Sequence, residues 1–167
     1  ELSKLASECP VWLGQPDLLA TLLRQGHGPA WVQSTWAGIT PLLVDGLPRG
    51  YRLTRAVGIF GQVMAEYVLT YMLGHEREVL ARVLSQVERK WDGRLGRSLE
   101  GRRVLIVGTG DIGQQVAEFL LPFGVTLYGV ASQARVQAPF VEVAGLDELG
   151  RLVGEVDYVV NLLPDTP

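Results

Sequence analysis

Residues 102–130 read RRVLIVGTGDIGQQVAEFLLPFGVTLYGV, and the way this stretch is punctuated decides the fold. Arg103 to Val107 is a strong strand signal, Asp111 to Leu121 carries a helical period, and Val125 to Val130 is a second strand. Between the first strand and the helix stands Gly108-Thr109-Gly110-Asp111-Ile112-Gly113, a G-x-G-x-x-G turn. In such a turn the first glycine permits a tight bend and the second lets a pyrophosphate approach the backbone. The third lets helix and strand pack closely. The free N–H groups and the positive end of the helix dipole then face the phosphate. Alone the motif is weak, since a structural turn or another adenosyl ligand also uses it. Set between a strand and an amphipathic helix, with strand, helix and strand following, it predicts a dinucleotide site. Gly108, Thr109, Gly110, Asp111, Ile112 and Gly113 are its expected contacts.

Such a fold usually carries an acidic residue about 20 positions on, holding the adenosine ribose hydroxyls. No carboxylate occurs between Glu118 and Glu142, and the second strand instead ends in Val130-Ala131-Ser132-Gln133-Ala134-Arg135. Losing the carboxylate removes its repulsion of a 2′-phosphate, and Ser132 and Arg135 are suited to bind one. The expectation is a preference for NADP(H) over NAD(H). In the alternative, Ser132 or Gln133 holds an unphosphorylated ribose and Arg135 is a surface residue.

Working outward, Leu146 to Val153 reads as a helix and Tyr158 to Leu162 as a strand. Upstream, one apolar stripe runs through Val63, Met64, Tyr67, Val68, Tyr71 and Met72, and another through Val79, Leu80, Val83, Leu84 and Val87. Gly74 marks an expected break or kink between them. Trp91 to Gly96 is a polar, glycine-bearing linker. Before residue 60, Pro10 to Leu13, Ala30 to Ser34 and Tyr51 to Thr54 read as strands. A helix starts at Pro16, with Leu18, Leu19, Leu22 and Leu23 on one face and Gly26 as its stop. Thr40-Pro41 has the pattern of a cap and first residue for a short helix through Val44. Strands separated by single helices usually lie parallel. The reading is therefore two α/β domains. Residues 1–60 form part of one, and residues 61–167, including the linking helices, form part of a Rossmann-type doubly wound parallel sheet.

Composition narrows the function classes. The 167 residues are 47% hydrophobic and 20% charged with a formal net charge of −3, which argues against nucleic acid as the main partner. A single cysteine, Cys9, excludes a disulfide framework and fits a reducing, cytoplasmic setting. No apolar stretch approaches the roughly 18 residues that span a bilayer, so no membrane is expected. Glu1 to Pro10 lack the basic head and apolar run of a signal peptide. Eight Lys/Arg residues fall between Arg77 and Arg103, but Glu76, Glu78, Glu88, Asp92 and Glu100 are interleaved with them. That is a solvated, salt-bridged face and not an anion site. No paired carboxylates, cysteine nucleophile or metal-ligand cluster is evident, and His27 and His75 read as surface or interface residues.

The glycine-rich stretch resembles the cofactor-binding core of the D-isomer-specific 2-hydroxyacid dehydrogenases. Gln33-Ser-Thr-Trp-Ala-Gly-Ile-Thr is similar to the substrate loop of that family's glyoxylate/hydroxypyruvate reductase branch. The helix VMAEYVLTYML and the segment Asp157-Tyr-Val-Val-Asn-Leu-Leu-Pro-Asp-Thr-Pro match two further family segments in the right order. The resemblance implies a flavodoxin-like α/β substrate domain beside the Rossmann domain. It also implies reduction of a small 2-oxoacid to the D-2-hydroxyacid by NAD(P)H in the cleft between them. Trp36, Ala37 and Gly38 fall where the family grips the substrate carboxylate, and Leu163, Pro164 and Thr166 beside the nicotinamide ribose. Without the resemblance, Trp36 reads as a packing aromatic and Gly38 as a turn. Met64 falls near the family's cofactor face, although a Met at helical spacing is more often core. The family draws its catalytic Arg, Glu and His from segments following LLPDTP, so no catalytic residue is assigned among these positions. It also builds a further strand and helix before the position of Glu1, in a protein about twice as long. A homodimer through the helices from Gln62 to Val87 is a family expectation. The same fold serves corepressor-like proteins, so a non-catalytic dinucleotide sensor is the alternative. A methyltransferase fits the three-glycine spacing and LLPDTP less well.

Overall fold

A computed structural model describes residues 2–26 and 28–163. They fall into two compact units, one ending at Ile59 and the other spanning Phe60–Leu163.

The first unit runs α1 (Leu2–Glu8), β1 (Val11–Gly14), α2 (Pro16–Leu23), β2 (Trp31–Ser34), a 3-10 turn (Thr40–Leu42) and β3 (Arg52–Thr54). Its three strands are parallel in the order β1-β2-β3, with Trp12 opposite Val32 and Val32 opposite Leu53. Pro16 starts α2 where an N–H would be unsatisfied anyway. The face that α2 buries is Pro16, Leu19, Ala20 and Leu23, while Leu18 is exposed. The helical period of 3.6 puts positions 16, 19, 20 and 23 on one line and leaves 18 outside it. Trp12, Val32, Leu42 and Leu47 complete this core. Helix α1 carries no sequence signal of its own and closes over Trp12, whose indole N–H donates to the carbonyls of Ala6 and Cys9 at 3.2 and 3.0 Å. The short helix expected after Thr40 is only one 3-10 turn, with Thr40 its first residue and not its cap.

The second unit runs α3 (Gly61–Glu76), α4 (Val79–Val87), β4 (Arg103–Val107), α5 (Asp111–Leu120), β5 (Thr126–Val130), β6 (Glu142–Ala144), α6 (Leu149–Glu155) and β7 (Tyr158–Asn161). Its sheet is parallel throughout in the order β6-β5-β4-β7. This is the 3-2-1-4 half of the dinucleotide fold, and the order reverses between β4 and β7. Along β4, Val104 and Ile106 pack into the cluster built with Ala65, Val68, Val116 and Leu120 from α3 and α5. Leu105 and Val107 pack the opposite way, with Leu152 of α6. Both faces of β4 are thus covered, which is why it reads as an apolar run.

The long helical segment breaks at Glu78, not at Gly74. Glu78 is left-handed (φ 52°), and the Glu76 carbonyl accepts the Arg97 N–H at 2.8 Å. The stripe that α3 buries is Gly61, Ala65, Val68, Met72 and Glu76, whereas Val63, Tyr67 and Tyr71 are exposed. Glu76, only 2% exposed, is the pin of this corner. One carboxylate oxygen accepts from the Tyr158 hydroxyl at 2.6 Å and pairs with Arg102 Nε at 3.0 Å; the other accepts from Arg97 Nε at 2.9 Å. Arg94 pairs with Glu78 and Asp92, and Lys90 with Glu88, so the basic segment is a salt-bridged face.

Candidate functional site

The glycine turn leaves β4 and enters α5 at the switch point of the second sheet. Gly108 adopts φ +101°, a conformation that favours glycine, and its N–H bonds the Val130 carbonyl at 2.8 Å. A Cβ there would lie 3.2 Å from the backbone of Leu162, so the turn is pressed against the chain leaving β7. Gly110 precedes α5 in extended backbone, and a Cβ on it would meet nothing within 4 Å. A Cβ on Gly113 would overlap the Gly108 carbonyl oxygen. The three glycines therefore have three different reasons: a left-handed turn, an open approach and a close crossing. The first bond within the helix is Gln114 N–H to the Gly110 carbonyl, so the N–H groups of Ile112 and Gly113 have no acceptor inside it. Leu163 is brought to the same place, its side chain 3.4 Å from where a Gly108 Cβ would stand.

Thr109 is buried in a polar cluster with Arg135 and Gln137, which follow β5. Its hydroxyl accepts from Arg135 Nη2 at 2.7 Å and donates to Gln137 Oε1 at 3.1 Å. Its carbonyl accepts from Gln137 Nε2 at 3.0 Å, and Arg135 Nε donates to Gln137 Oε1 at 2.7 Å. Gln114 on α5 accepts a further bond from Gln137 at 2.7 Å. Gly129 makes room for this, since a Cβ on it would lie 2.5 Å from the Thr109 methyl. Neither glutamine stands out in the sequence, because each meets its partners only across the sheet edge. Beyond them a groove of about 900 Å³ is lined by Ser132, Arg135, Glu142, Asp147, Glu148 and Arg151. The groove lining thus includes the carboxylates of Glu142, Asp147 and Glu148, although none follows β5 directly. Two of these, Glu142 and Glu148, are held by Arg151 at 2.5 and 2.7 Å, bonds that raise the arginine's basicity further.

In the first unit, Trp36, Ala37 and Gly38 form the loop leaving β2, the central strand. Ser34 is buried and its Oγ accepts the Trp36 N–H at 3.1 Å. The Trp36 side chain lies outside the unit's core and is half exposed. Gly38 has no positive φ, and a Cβ on it would meet nothing within 4 Å, so neither conformation nor packing requires glycine. The N–H groups of Ala37 and Gly38 donate to no acceptor among the described residues. Arg55, immediately after β3, donates from Nη1 to the Ala37 carbonyl at 2.8 Å. Its position was the available signal, since it leaves the strand next to β2 at the same sheet end.

A family profile described as "D-isomer specific 2-hydroxyacid dehydrogenase, NAD binding domain" matches residues 69–167. The chain belongs to this family. A D-isomer specific 2-hydroxyacid dehydrogenase family protein from Aeromonas salmonicida subsp. salmonicida is 35% identical and superposes with a TM-score of 0.89, over 99% of this chain and 53% of that one. Glyoxylate/hydroxypyruvate reductase A of Photorhabdus laumondii is 29% identical over 172 residues, 99% of this chain and 54% of the relative. An NADPH-dependent glyoxylate/hydroxypyruvate reductase of Sinorhizobium meliloti, solved with NADP and sulfate, is 27% identical with a TM-score of 0.74. That match covers 93% of this chain and 49% of the other. The chain spans about half the length of the curated relatives it matches.

Pro164, Thr166 and His27 lie outside the described residues. His75 is exposed at the end of α3, its Nε2 3.2 Å from Arg97 Nη2 and its ring edge-on to Tyr158. Met64 is partly buried against the main core. Among the described residues no His/Cys/Asp/Glu group is arranged to hold a metal ion, and no helix is long and apolar enough to cross a membrane.

Proposed function

We propose that the full-length protein reduces a small 2-oxoacid of the glyoxylate/hydroxypyruvate class to the D-2-hydroxyacid, with NADP(H) preferred over NAD(H). The glycine turn carries the reading, because Gly108, Gly110 and Gly113 each meet a separate steric demand of a pyrophosphate-binding crossing. The relatives named as glyoxylate/hydroxypyruvate reductases support the substrate class, and the NADP bound to the Sinorhizobium enzyme supports the carrier. When bound, the reduced nicotinamide supplies the hydride for the substrate carbonyl carbon. The N–H groups at residues 111–113 take the pyrophosphate, and Leu163, Pro164 and Thr166 border the nicotinamide ribose. Ser132 and Arg135 take the 2′-phosphate. Arg135 is already braced by Thr109 and Gln137 through Nε and Nη2, and its Nη1 makes no hydrogen bond among the described residues. In the first unit, the N–H groups of Ala37 and Gly38 take the substrate carboxylate and the Trp36 indole lies beside it. The cation that polarises the carbonyl and the acid that protonates the alkoxide come from the family's segments beyond LLPDTP. Cys9, free and exposed, fits a reducing cytoplasmic setting.

Steady-state oxidation of NADPH and NADH by the full-length protein, with glyoxylate or hydroxypyruvate, tests the reading. Turnover with a lower KM for NADPH is expected. Arg135→Ala should raise that KM about tenfold or more, the worth of a charge-assisted phosphate bond, and leave the NADH value unchanged. Equal affinities for the two carriers would remove the preference. Cofactor binding without oxidation would favour the sensor.

We also propose that a second copy of the chain covers α4. This helix buries none of its residues and exposes Val79, Leu80, Val83, Leu84 and Val87 on one side, followed by Trp91 at 95% and Leu95 at 92% exposure. A self-complementary apolar stripe suits a two-fold contact. Sedimentation should give a dimer that Leu84→Glu converts to a monomer; a monomeric parent protein would overturn this.

A further inference from the structure

We infer that Arg55 is a positioning residue for the substrate carboxylate, acting through the Ala37–Gly38 peptide; this rests on the reading that the loop after β2 grips that carboxylate. The Arg55 guanidinium donates to the Ala37 carbonyl at 2.8 Å. In a trans peptide the carbonyl and the following N–H point in opposite directions within one plane. Holding the Ala37 carbonyl on one side therefore aims the Gly38 N–H to the other. The positive charge on Arg55 also draws electron density through the amide and makes that N–H a better donor.

Among the described residues, Arg55 makes the one hydrogen bond to this peptide. The Gly38 N–H has no acceptor among the described residues, and no atom lies within 4 Å of where its Cβ would be. Arg55, in contrast, springs from a fixed point. Thr54 ends β3 with its hydroxyl accepting from Trp31 Nε1 and donating to Gln33 Oε1, both at 2.6 Å. Arg55 is exposed and has no ion pair among the described residues, so its charge is not consumed in holding the unit together. A cation that bonds one carbonyl, beside Ala37 and Gly38 N–H groups that have no acceptor among the described residues, is placed to order an anion site and not to stabilise the fold.

The test uses the full-length protein loaded with NADPH, and oxalate as an unreactive dicarboxylate probe titrated by calorimetry. Arg55→Gln should weaken oxalate about tenfold, the loss expected when a charge-assisted bond no longer aims the donor. NADPH affinity and the unfolding midpoint should stay as in the parent protein. Arg55→Lys keeps the charge and one donor, and should recover binding to within about threefold of the parent. In turnover, Arg55→Gln should raise the 2-oxoacid KM with kcat held, the pattern of lost ground-state binding. Gly38→Val separates the two readings, because its side chain enters open space in the free protein but occupies the proposed carboxylate position. If Gly38→Val weakens oxalate and Arg55→Gln does not, the inference about Arg55 is overturned while the loop reading stands. If neither matters, the loop reading fails and the Arg55 role with it. A fall in unfolding midpoint or NADPH affinity that parallels any loss of oxalate binding would make Arg55 merely structural.

Discussion

Gly113→Ala is expected to destabilise the protein by about 3 kcal/mol, lowering its unfolding midpoint by several degrees, and to abolish NADPH binding. The added methyl would overlap the Gly108 carbonyl oxygen and stand 3.3 Å from Ile106 Cγ2. Neither neighbour can yield cheaply. Ile106 is fully buried in β4, and Gly108 is backed by the Leu162 backbone at 3.2 Å from its own Cβ position. Relief requires α5 to lift away from β4, which opens the cluster that Val116, Ala117 and Leu120 form with Val104 and Ile106. Gly110→Ala is the contrasting case. Its methyl meets nothing within 4 Å, and its φ of −73° suits any residue, so stability should change by less than about 0.5 kcal/mol. NADPH affinity should nevertheless fall about a hundredfold, because the methyl stands where the pyrophosphate must approach. Thermal unfolding without cofactor, paired with NADPH titration, reads both. If the two variants behave alike in both measurements, the division of labour among the glycines is wrong.

Glu76→Gln should cost about 3 kcal/mol, the low end for breaking a buried charge pair, since Arg97 is half exposed and retains water. Burial alone would push the Glu76 carboxyl up, but the Tyr158 hydroxyl and the Arg102 and Arg97 guanidiniums outweigh it and hold the group below its ordinary 4.5. A depressed carboxyl contributes stability that is fully present above the ordinary value and lost as pH falls through the folded one. Tyr158 behaves inversely. Burial, with the hydrogen bond to Glu76 and its charge, raises the phenol from 10.0 to about 12. Its contribution is complete below pH 10.0 and disappears as pH rises through about 12. Denaturant melts across pH should therefore show an acid limb that Glu76→Gln flattens and an alkaline limb that Tyr158→Phe removes. A Glu76→Gln variant as stable as its parent at pH 7 would show that the corner is held by packing alone.

What the sequence discloses and what it conceals divide along the range of the interactions. Strands β4 and β5 are legible because strands covered on both faces write continuous apolar runs. Strand β7 is legible because Tyr158, Val159 and Val160 are apolar in a row, although Val159 is half exposed. The glycine turn is legible because its demands fall within six consecutive residues. Strand β6 is not, since Glu142–Ala144 is too short to display a period. The helix break is misplaced for a related reason. Gly74 is a permissive residue with nothing near its Cβ position, whereas the real break follows Glu76, whose partners Arg97, Arg102 and Tyr158 lie far along the chain. Candidate site residues follow the same rule. Ser132 and Arg135 could be named from the end of a strand. The partners that orient Arg135 come from the glycine turn and from a later loop, and Arg55 reaches Ala37 from the neighbouring strand. The missing carboxylate is visible as a gap in the sequence, but not that Glu142 and Glu148 line the same groove as Ser132 and Arg135.

The bracing of Arg135 sets the size of the module that an engineer would have to exchange. Cofactor preference in such folds invites a swap of the few residues after the second strand, here 132–135. In this chain the guanidinium leans on Thr109 and Gln137, Gln137 leans on Gln114, and Thr109 fits only because position 129 is glycine. A grafted acid at 132–135 would inherit a scaffold shaped for a cation and leave Gln137 and Thr109 without the bonds that Arg135 gives them. The transplantable unit is therefore five positions beyond the graft itself or none: 109, 114, 129, 137 and the β6 residue Val143, whose carbonyl anchors the Arg135 N–H at 3.1 Å.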